Sequence, residues 1–260
     1  MTAAALEGVR LSKNFGGVRA VDDVSFTVAA GSLSALIGPN GAGKTTLFNM
    51  VTNLFPPSSG EVRFFGTDLK GLAPYRIAAL GLVRTFQAAR VFPGMTALEN
   101  VLAGAHMHIH GGTISQMLWR RRARSEESAL VAKAEALLDA VGLAAFRDTA
   151  ATELPMGSQK LLEVIRALMA HPRMLLLDEP AAGLNDSETA ELASLLIAIR
   201  ESGMTILMVE HNMSLVMGIA DQVIVLDAGT IVAAGTPAEI RRDPRVIEAY
   251  IGAQPEMQHA

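Results

Sequence analysis

The stretch Gly38-Pro39-Asn40-Gly41-Ala42-Gly43-Lys44-Thr45-Thr46 carries the spacing G-x-x-x-x-G-K-[ST]. Glycines at these positions let successive backbone N–H groups turn inward around phosphate oxygens. The Lys44 ammonium can then reach β- and γ-phosphates, and the Thr45 hydroxyl can ligate Mg2+. The chemistry implied is that of a nucleoside triphosphate. A second constellation, Met174-Leu175-Leu176-Leu177-Asp178-Glu179-Pro180, ends an apolar run in two adjacent carboxylates. Asp178 is placed to hold the metal ion, and Glu179 to orient and deprotonate a water for attack on the γ-phosphate. Three weaker elements draw their meaning from these two. Gln87 closes Arg84-Thr85-Phe86-Gln87, and His211 follows the apolar run that ends in Val209-Glu210. The third, Leu154-Pro155-Met156-Gly157-Ser158-Gln159, opens a helix whose Gly157 and Ser158 N–H groups are free at the first turn.

The elements that must position these residues are short apolar runs rich in β-branched side chains: 24–28, 33–37, 61–65, 174–177, 205–209 and 222–226. Most are bounded by Gly, Pro, Asn or Asp, the pattern of strands. The runs at 174–177 and 205–209 are apolar throughout, which predicts central strands covered on both faces. Between them Asn185 and Glu188 form a cap, Leu192, Leu195, Leu196 and Ile199 share a helical face, and Gly203 ends it. Strand, helix, strand in that order predicts a parallel α/β core whose ligands gather at the strands' C-terminal ends. From about residue 91 to 173 the pattern is helical instead. Leu130, Ala134, Leu137, Leu138 and Val141 make one stripe, closed by Gly142; Leu161, Leu162, Ile165, Leu168 and Met169 make another, stopped by Pro172. The expected division is a nucleotide-binding core of 1–87 and 171–260 with a helical subdomain inserted at 88–170.

Composition removes several alternatives. The 260 residues contain no cysteine, which excludes disulfides, iron–sulfur clusters, thiolate zinc sites and cysteine nucleophiles. Lys and Arg total 22 against 26 Asp and Glu, a net charge of −4 that argues against a nucleic-acid partner. Mean hydropathy is +0.31, yet the uncharged stretches 24–43 and 100–119 are broken by glycines, Pro39 or histidines and do not read as membrane spans. With Glu7 and no basic segment before an apolar one, the N-terminus does not read as a secretion signal. A chain soluble in the cytoplasm is expected, docked at a membrane only through partners.

In this order and spacing, the elements resemble the nucleotide-binding subunit of an ABC transporter, from about Gly8 to Gly252. The resemblance implies an α/β fold: a P-loop NTPase core of ABC-ATPase type with an N-terminal antiparallel β portion and an inserted helical subdomain. It makes Gln87 the Q-loop glutamine and a metal ligand, 154–159 the signature motif, Glu179 the general base and His211 the switch histidine. Phe15 would stack on adenine. ATP and Mg2+ would lie between two such chains head to tail, each P-loop facing Gly157, Ser158 and Gln159 of the other. Val83-Arg84-Thr85-Phe86-Gln87, Met95 to Asn100, Glu179 to Asn185, Glu210 to Asp221 and Tyr250-Ile251-Gly252 resemble the branched-chain amino acid import ATPases in particular. Cassettes serving urea, short amides or lipopolysaccharide share much of this pattern, and a non-transport ABC ATPase acting on ribosomes or DNA is the alternative of another class. The implied partners are a second, paralogous or identical ATPase chain, two membrane permease subunits and, indirectly, an external substrate-binding protein. The implied location is the inner face of the cell membrane.

Two positions depart from the family pattern. Pro155 stands where the signature serine is usual, so either contact with a partner's γ-phosphate comes from backbone N–H groups around Gly157 or this half-site is weakened. Asn185 occupies the usual D-loop aspartate position, with Asp186 next. His106, His108 and His110 alternate, and Arg120, Arg121, Arg122 and Arg124 follow Trp119. Both read as solvated segments ahead of a metal or lipid site.

Overall fold

The computed structural model describes residues 3–85, 91–105 and 120–251, with side chains of 120–125 and 251 excepted. In chain order its main elements are β1 (Ala4–Phe15), β2 (Val18–Ala29), β3 (Leu33–Ile37), α1 (Lys44–Val51), β4 (Ser59–Phe64), β5 (Thr67–Asp68), α2 (Pro74–Ala79) and β6 (Leu82–Arg84). There follow α3 (Ala97–Ala103), α4 (Arg120–Ala140), α5 (Met156–Leu168), β7 (Met174–Asp178), α6 (Asp186–Glu201) and β8 (Thr205–Val209). The chain closes with α7 (Met213–Ile219), β9 (Gln222–Asp227), β10 (Thr230–Gly235), α8 (Pro237–Ile240) and α9 (Pro244–Ile251). Gln87 and the His106, His108 and His110 group lie outside the described residues.

The chain forms two compact units: residues 1–84, 173–182 and 196–260, and residues 85–172 with 183–195. The first holds two sheets. One is antiparallel in order β2-β1-β4-β5; the other runs β10-β9-β3-β8-β7-β6, parallel from β9 through β6, with β10 antiparallel at one edge. Every residue of β3, β7 and β8 is buried, as continuous apolar runs require when both faces of a strand are covered. The core around them includes Leu36, Phe48, Val51, Leu176, Leu207 and Ile224. A buried Leu or Phe contributes about 1.5–3 kcal/mol relative to exposure, so the strand ends that carry polar residues are held by a well-packed base.

The second unit packs α3, α4 and α5 around Val101, Ala134, Leu138, Leu154, Leu162 and Ile165. Thr96 and Glu99 form a reciprocal capping box at the start of α3, and Gly142, at φ 71°, turns the chain after α4. Among its described residues the only β pairing is an isolated bridge between Thr96 and Ala150. Relative to the sequence reading, the boundary shifts by two or three residues at 85–87 and 171–172 and differs substantially at one place. Residues 183–195, assigned there to the core, cluster with the helical unit, where Glu188 bonds to Gly157 and Leu195 packs against the apolar cluster. Helix α6 is therefore divided, with residues 196–201 in the first unit.

Candidate nucleotide site

The loop 38–43 joins β3 to α1 and is shaped by backbone that only glycine tolerates. At Gly38 φ is +154°, and a Cβ there would lie 2.0 Å from the Leu226 carbonyl oxygen; at Gly43 φ is +100°, with the Ala20 carbonyl oxygen 2.4 Å from a Cβ. The loop thus lies directly against backbone on two sides, which fixes its path. Gly43 caps α1 without any side-chain hydrogen bond, and no acidic residue stands in the helix's first turn. The first N–H groups of a helix have no acceptor within it, so this terminus offers donors and a positive dipole end to an anion.

Lys44 completes the ring. Its Nζ donates to the carbonyl oxygens of Gly38 at 2.7 Å and Pro39 at 2.9 Å. Burial lowers its pKa below the ordinary lysine value, and the nearby Glu179 carboxylate opposes that shift. The glycine loop and the paired carboxylates, 134 residues apart in sequence between Lys44 and Asp178, belong to one compact unit.

Asp178 ends β7, buried, in register with Val209 of β8. Its Oδ2 accepts from Arg84 Nη2 at 2.7 Å, and Arg84 Nη1 also donates to Asn49 Oδ1 at 2.7 Å on α1. The guanidinium lies against the Phe48 ring, and its Nε is buried without a partner. Glu179, immediately beyond the strand, has φ +49°, a left-handed conformation that costs a non-glycine residue about 1 kcal/mol or more. Two backbone bonds hold it there: its N–H donates to Val209 O, and its carbonyl accepts from Ala182 N–H.

His211 follows β8 with its side chain largely exposed and its Nδ1 4.0 Å from Glu210 Oε2. Phe15, half exposed at the end of β1, presents its ring edge-on to Phe55, with the Lys13 ammonium 5.3 Å from its centroid. Thr45 is exposed and Thr46 half-buried at the start of α1. No cluster of three His, Cys, Asp or Glu suited to a metal ion occurs among the described residues. The donors present, a hydroxyl and one carboxylate with Oδ1 outside the Arg84 pair, match a Mg2+ ion that takes its remaining ligands from water and substrate phosphates.

In the second unit, Pro155 caps α5 and leaves it without a side-chain hydrogen bond. The Gly157 N–H is not free, however. It donates to Glu188 Oε1 at 3.2 Å, while Glu188 Oε2 accepts from Asn185 N–H and Asn185 Oδ1 accepts from Glu188 N–H. The cap expected at Asn185 is formed, and its acid reaches further, to the signature loop. A Cβ on Gly157 would meet the Glu188 carboxylate at 2.6 Å. Gln159 Nε2 donates to Leu154 O at 2.8 Å.

Sequence reasoning missed three side chains that organise this chemistry: Arg84, Glu188 as a ligand of Gly157, and Glu210. Arg84 and Glu210 are isolated charges in apolar strand segments, which is itself a signal, since a charge in a buried strand needs a partner.

A family model described as ABC transporter matches residues 21–182, and one described as branched-chain amino acid ATP-binding cassette transporter matches residues 230–255. The high-affinity branched-chain amino acid transport ATP-binding protein BraF of Pseudomonas aeruginosa is 42% identical over 97% of this chain and 99% of its own length. The corresponding LivG of Salmonella typhimurium is 43% identical over 93% of this chain and 95% of its own. A crystal structure of an ABC transporter's ATP-binding cassette in its ADP conformation superposes with a TM-score of 0.84 at 33% identity, covering 96% of this chain and all of that one. With the phosphate loop, the paired carboxylates and the two-sheet core in one unit, and with relatives matched end to end, the chain belongs to the ABC transporter family, as one of its ATP-binding cassettes.

Proposed function

We propose that this chain is the ATP-hydrolysing motor subunit of a membrane importer for branched-chain or other amino acids. The observation that carries the chemistry is the uncapped start of α1, with Lys44 folded onto the loop carbonyls and Arg84 tying Asn49 of the same helix to Asp178. The cargo reading is supported by the names of the full-length relatives and by the short C-terminal family match. The N–H groups of 38–46 and the Lys44 ammonium bind the β- and γ-phosphates, and Phe15 stacks on the base. Thr45, Asp178 and Gln87 would hold Mg2+, which would neutralise phosphate charge. Glu179 takes the proton of the attacking water, and His211 keeps water and γ-phosphate in line. The nucleotide-binding part is the unit of 1–84, 173–182 and 196–260; the unit of 85–172 and 183–195 carries the signature segment.

Two cassettes, paralogous or identical, close head to tail over ATP, each completed by Gly157, Ser158 and Gln159 of the other, and reopen after hydrolysis. They work on two permease subunits at the inner face of the membrane, with an external binding protein delivering cargo. Among the described residues no helix is long and apolar enough to cross a membrane, which is consistent with a cassette held there by partners.

Glu179→Gln tests the base directly: nucleotide affinity should stay within about twofold while turnover falls about 100-fold or more. Normal hydrolysis by that variant would overturn the assignment. Purification of the chain from native membranes tests the assembly, with two permeases and a sibling cassette the expected companions. Ribosomal or DNA-repair proteins in their place would sink the transport reading.

A further inference from the structure

Glu210 is completely buried, a carboxylate at the end of β8 whose own N–H donates to Leu36 O on β3 at 3.3 Å. Its two oxygens divide their work. Oε1 accepts from Ala181 N–H at 2.7 Å, and Oε2 accepts from His211 N–H at 2.9 Å and Asn212 N–H at 3.1 Å. Ala181 belongs to the turn that starts at Glu179 and closes through the Ala182 N–H to Glu179 carbonyl bond. That turn keeps Glu179 at its positive φ. His211 and Asn212 begin the loop after β8, and Asn212 then caps α7 by accepting from Leu215 N–H. One buried side chain therefore ties the loop of the base to the loop of the switch histidine, while the backbone N–H of the same residue holds it to the strand that feeds the phosphate loop.

We propose that Glu210 is a positioning residue for hydrolysis, a two-sided acceptor that sets the separation of Glu179 and His211. The inference rests on the roles given to those two residues above. The physical argument is that a carboxylate offers acceptors on both oxygens, whereas an amide of the same shape offers only one. In Glu210→Gln the amide nitrogen must face either Ala181 N–H or the His211 and Asn212 N–H pair, donor against donor. One loop keeps its bond and the other is released. A buried donor left unpaired is costly, so the released loop moves toward water. Displacement of a reacting group by about 1 Å is enough to cost about 100-fold in rate. The phosphate contacts of 38–46 involve none of these bonds, so nucleotide binding stays.

The experiment compares full-length wild type, Glu210→Gln and Glu179→Gln by ATP turnover, nucleotide affinity and amide hydrogen exchange. In wild type, the Ala181, His211 and Asn212 amides should be strongly protected. Free exchange at all three would overturn the clamp without any variant having to fold. In Glu210→Gln, kcat should fall about 100-fold with KM and nucleotide affinity within about twofold, and protection should vanish on one side only. Wild-type turnover, or a uniform loss of protection across the first unit, would overturn the inference. The underlying reading fails separately: if Glu179→Gln hydrolyses normally, Glu179 is not the base, whatever Glu210 does.

Discussion

Two helix N-termini in this molecule carry glycines and were expected to meet phosphate, and they are built differently. At α1 the terminus is uncapped, free of acidic residues in its first turn and backed by a lysine folded onto the loop carbonyls. At α5 the glycine N–H is already engaged by Glu188 of the same unit. The loop ahead of α1 presses against other backbone at Gly38 and Gly43, whereas Gly157 faces only a flexible carboxylate. A helix dipole alone therefore does not make the two ends equivalent. Rigid backbone enclosure and a half-buried cation prepare one of them to receive an anion, while the other keeps an internal anion in place.

The comparison can be broken by making the same substitution at both ends. Gly38→Ala should destabilise the chain by about 3–4 kcal/mol, since it adds a backbone clash to a forbidden φ; Tm and urea unfolding measure it. Gly157→Ala should change stability by less than about 1 kcal/mol, because the helical alanine gain offsets a contact that the Glu188 side chain can relieve by rotating. Equal losses at the two sites would erase the distinction.

Charge is the next lever. Lys44→Met removes a charge-assisted bond to phosphate worth about 1.5–3 kcal/mol, so nucleotide affinity measured by calorimetry should fall about 12- to 150-fold. Glu188→Gln should leave that affinity unchanged in the isolated chain and cost about 1 kcal/mol or less of stability, the usual size of a cap.

The smallest effect is a pH dependence with opposite signs in two measurements. Burial holds the Lys44 pKa below its ordinary value, so in the alkaline range beneath that value the ammonium loses its proton early. Nucleotide affinity should decline there. The folded pKa lies below the unfolded one, so the desolvation cost of the charged form, complete at neutral pH, is relieved as pH rises through this window. The Lys44 contribution to apo stability should therefore improve while binding weakens. A decline in affinity that began only at the ordinary lysine pKa would show that the lysine is solvated.

Much of the fold was legible because its strands are extreme. β3 and β8 coincide with the runs read at 33–37 and 205–209, and β7 extends the run at 174–177 by the residue Asp178. β1 escaped recognition. Its pairing with β2 slips register at several points, so its side chains do not alternate cleanly and Glu7, Arg10 and Lys13 mask it. The affiliation of 183–195 was equally hidden, because a continuous helical stripe does not announce that its first turns pack elsewhere than its last.

What the sequence by itself determined is the local chemistry: a glycine spacing that admits only a tight phosphate-sized loop, and an apolar run ending in two acids. Both are written in consecutive residues, where backbone sterics and strand burial act over a few positions. Only the tertiary structure decided which groups satisfy each buried charge. Arg84 bonds Asp178 across 94 positions, and Glu210 spans 29 to reach Ala181. Such pairs form because a buried charge must find a partner wherever the sheet order brings one, and sheet order is a property of the whole core.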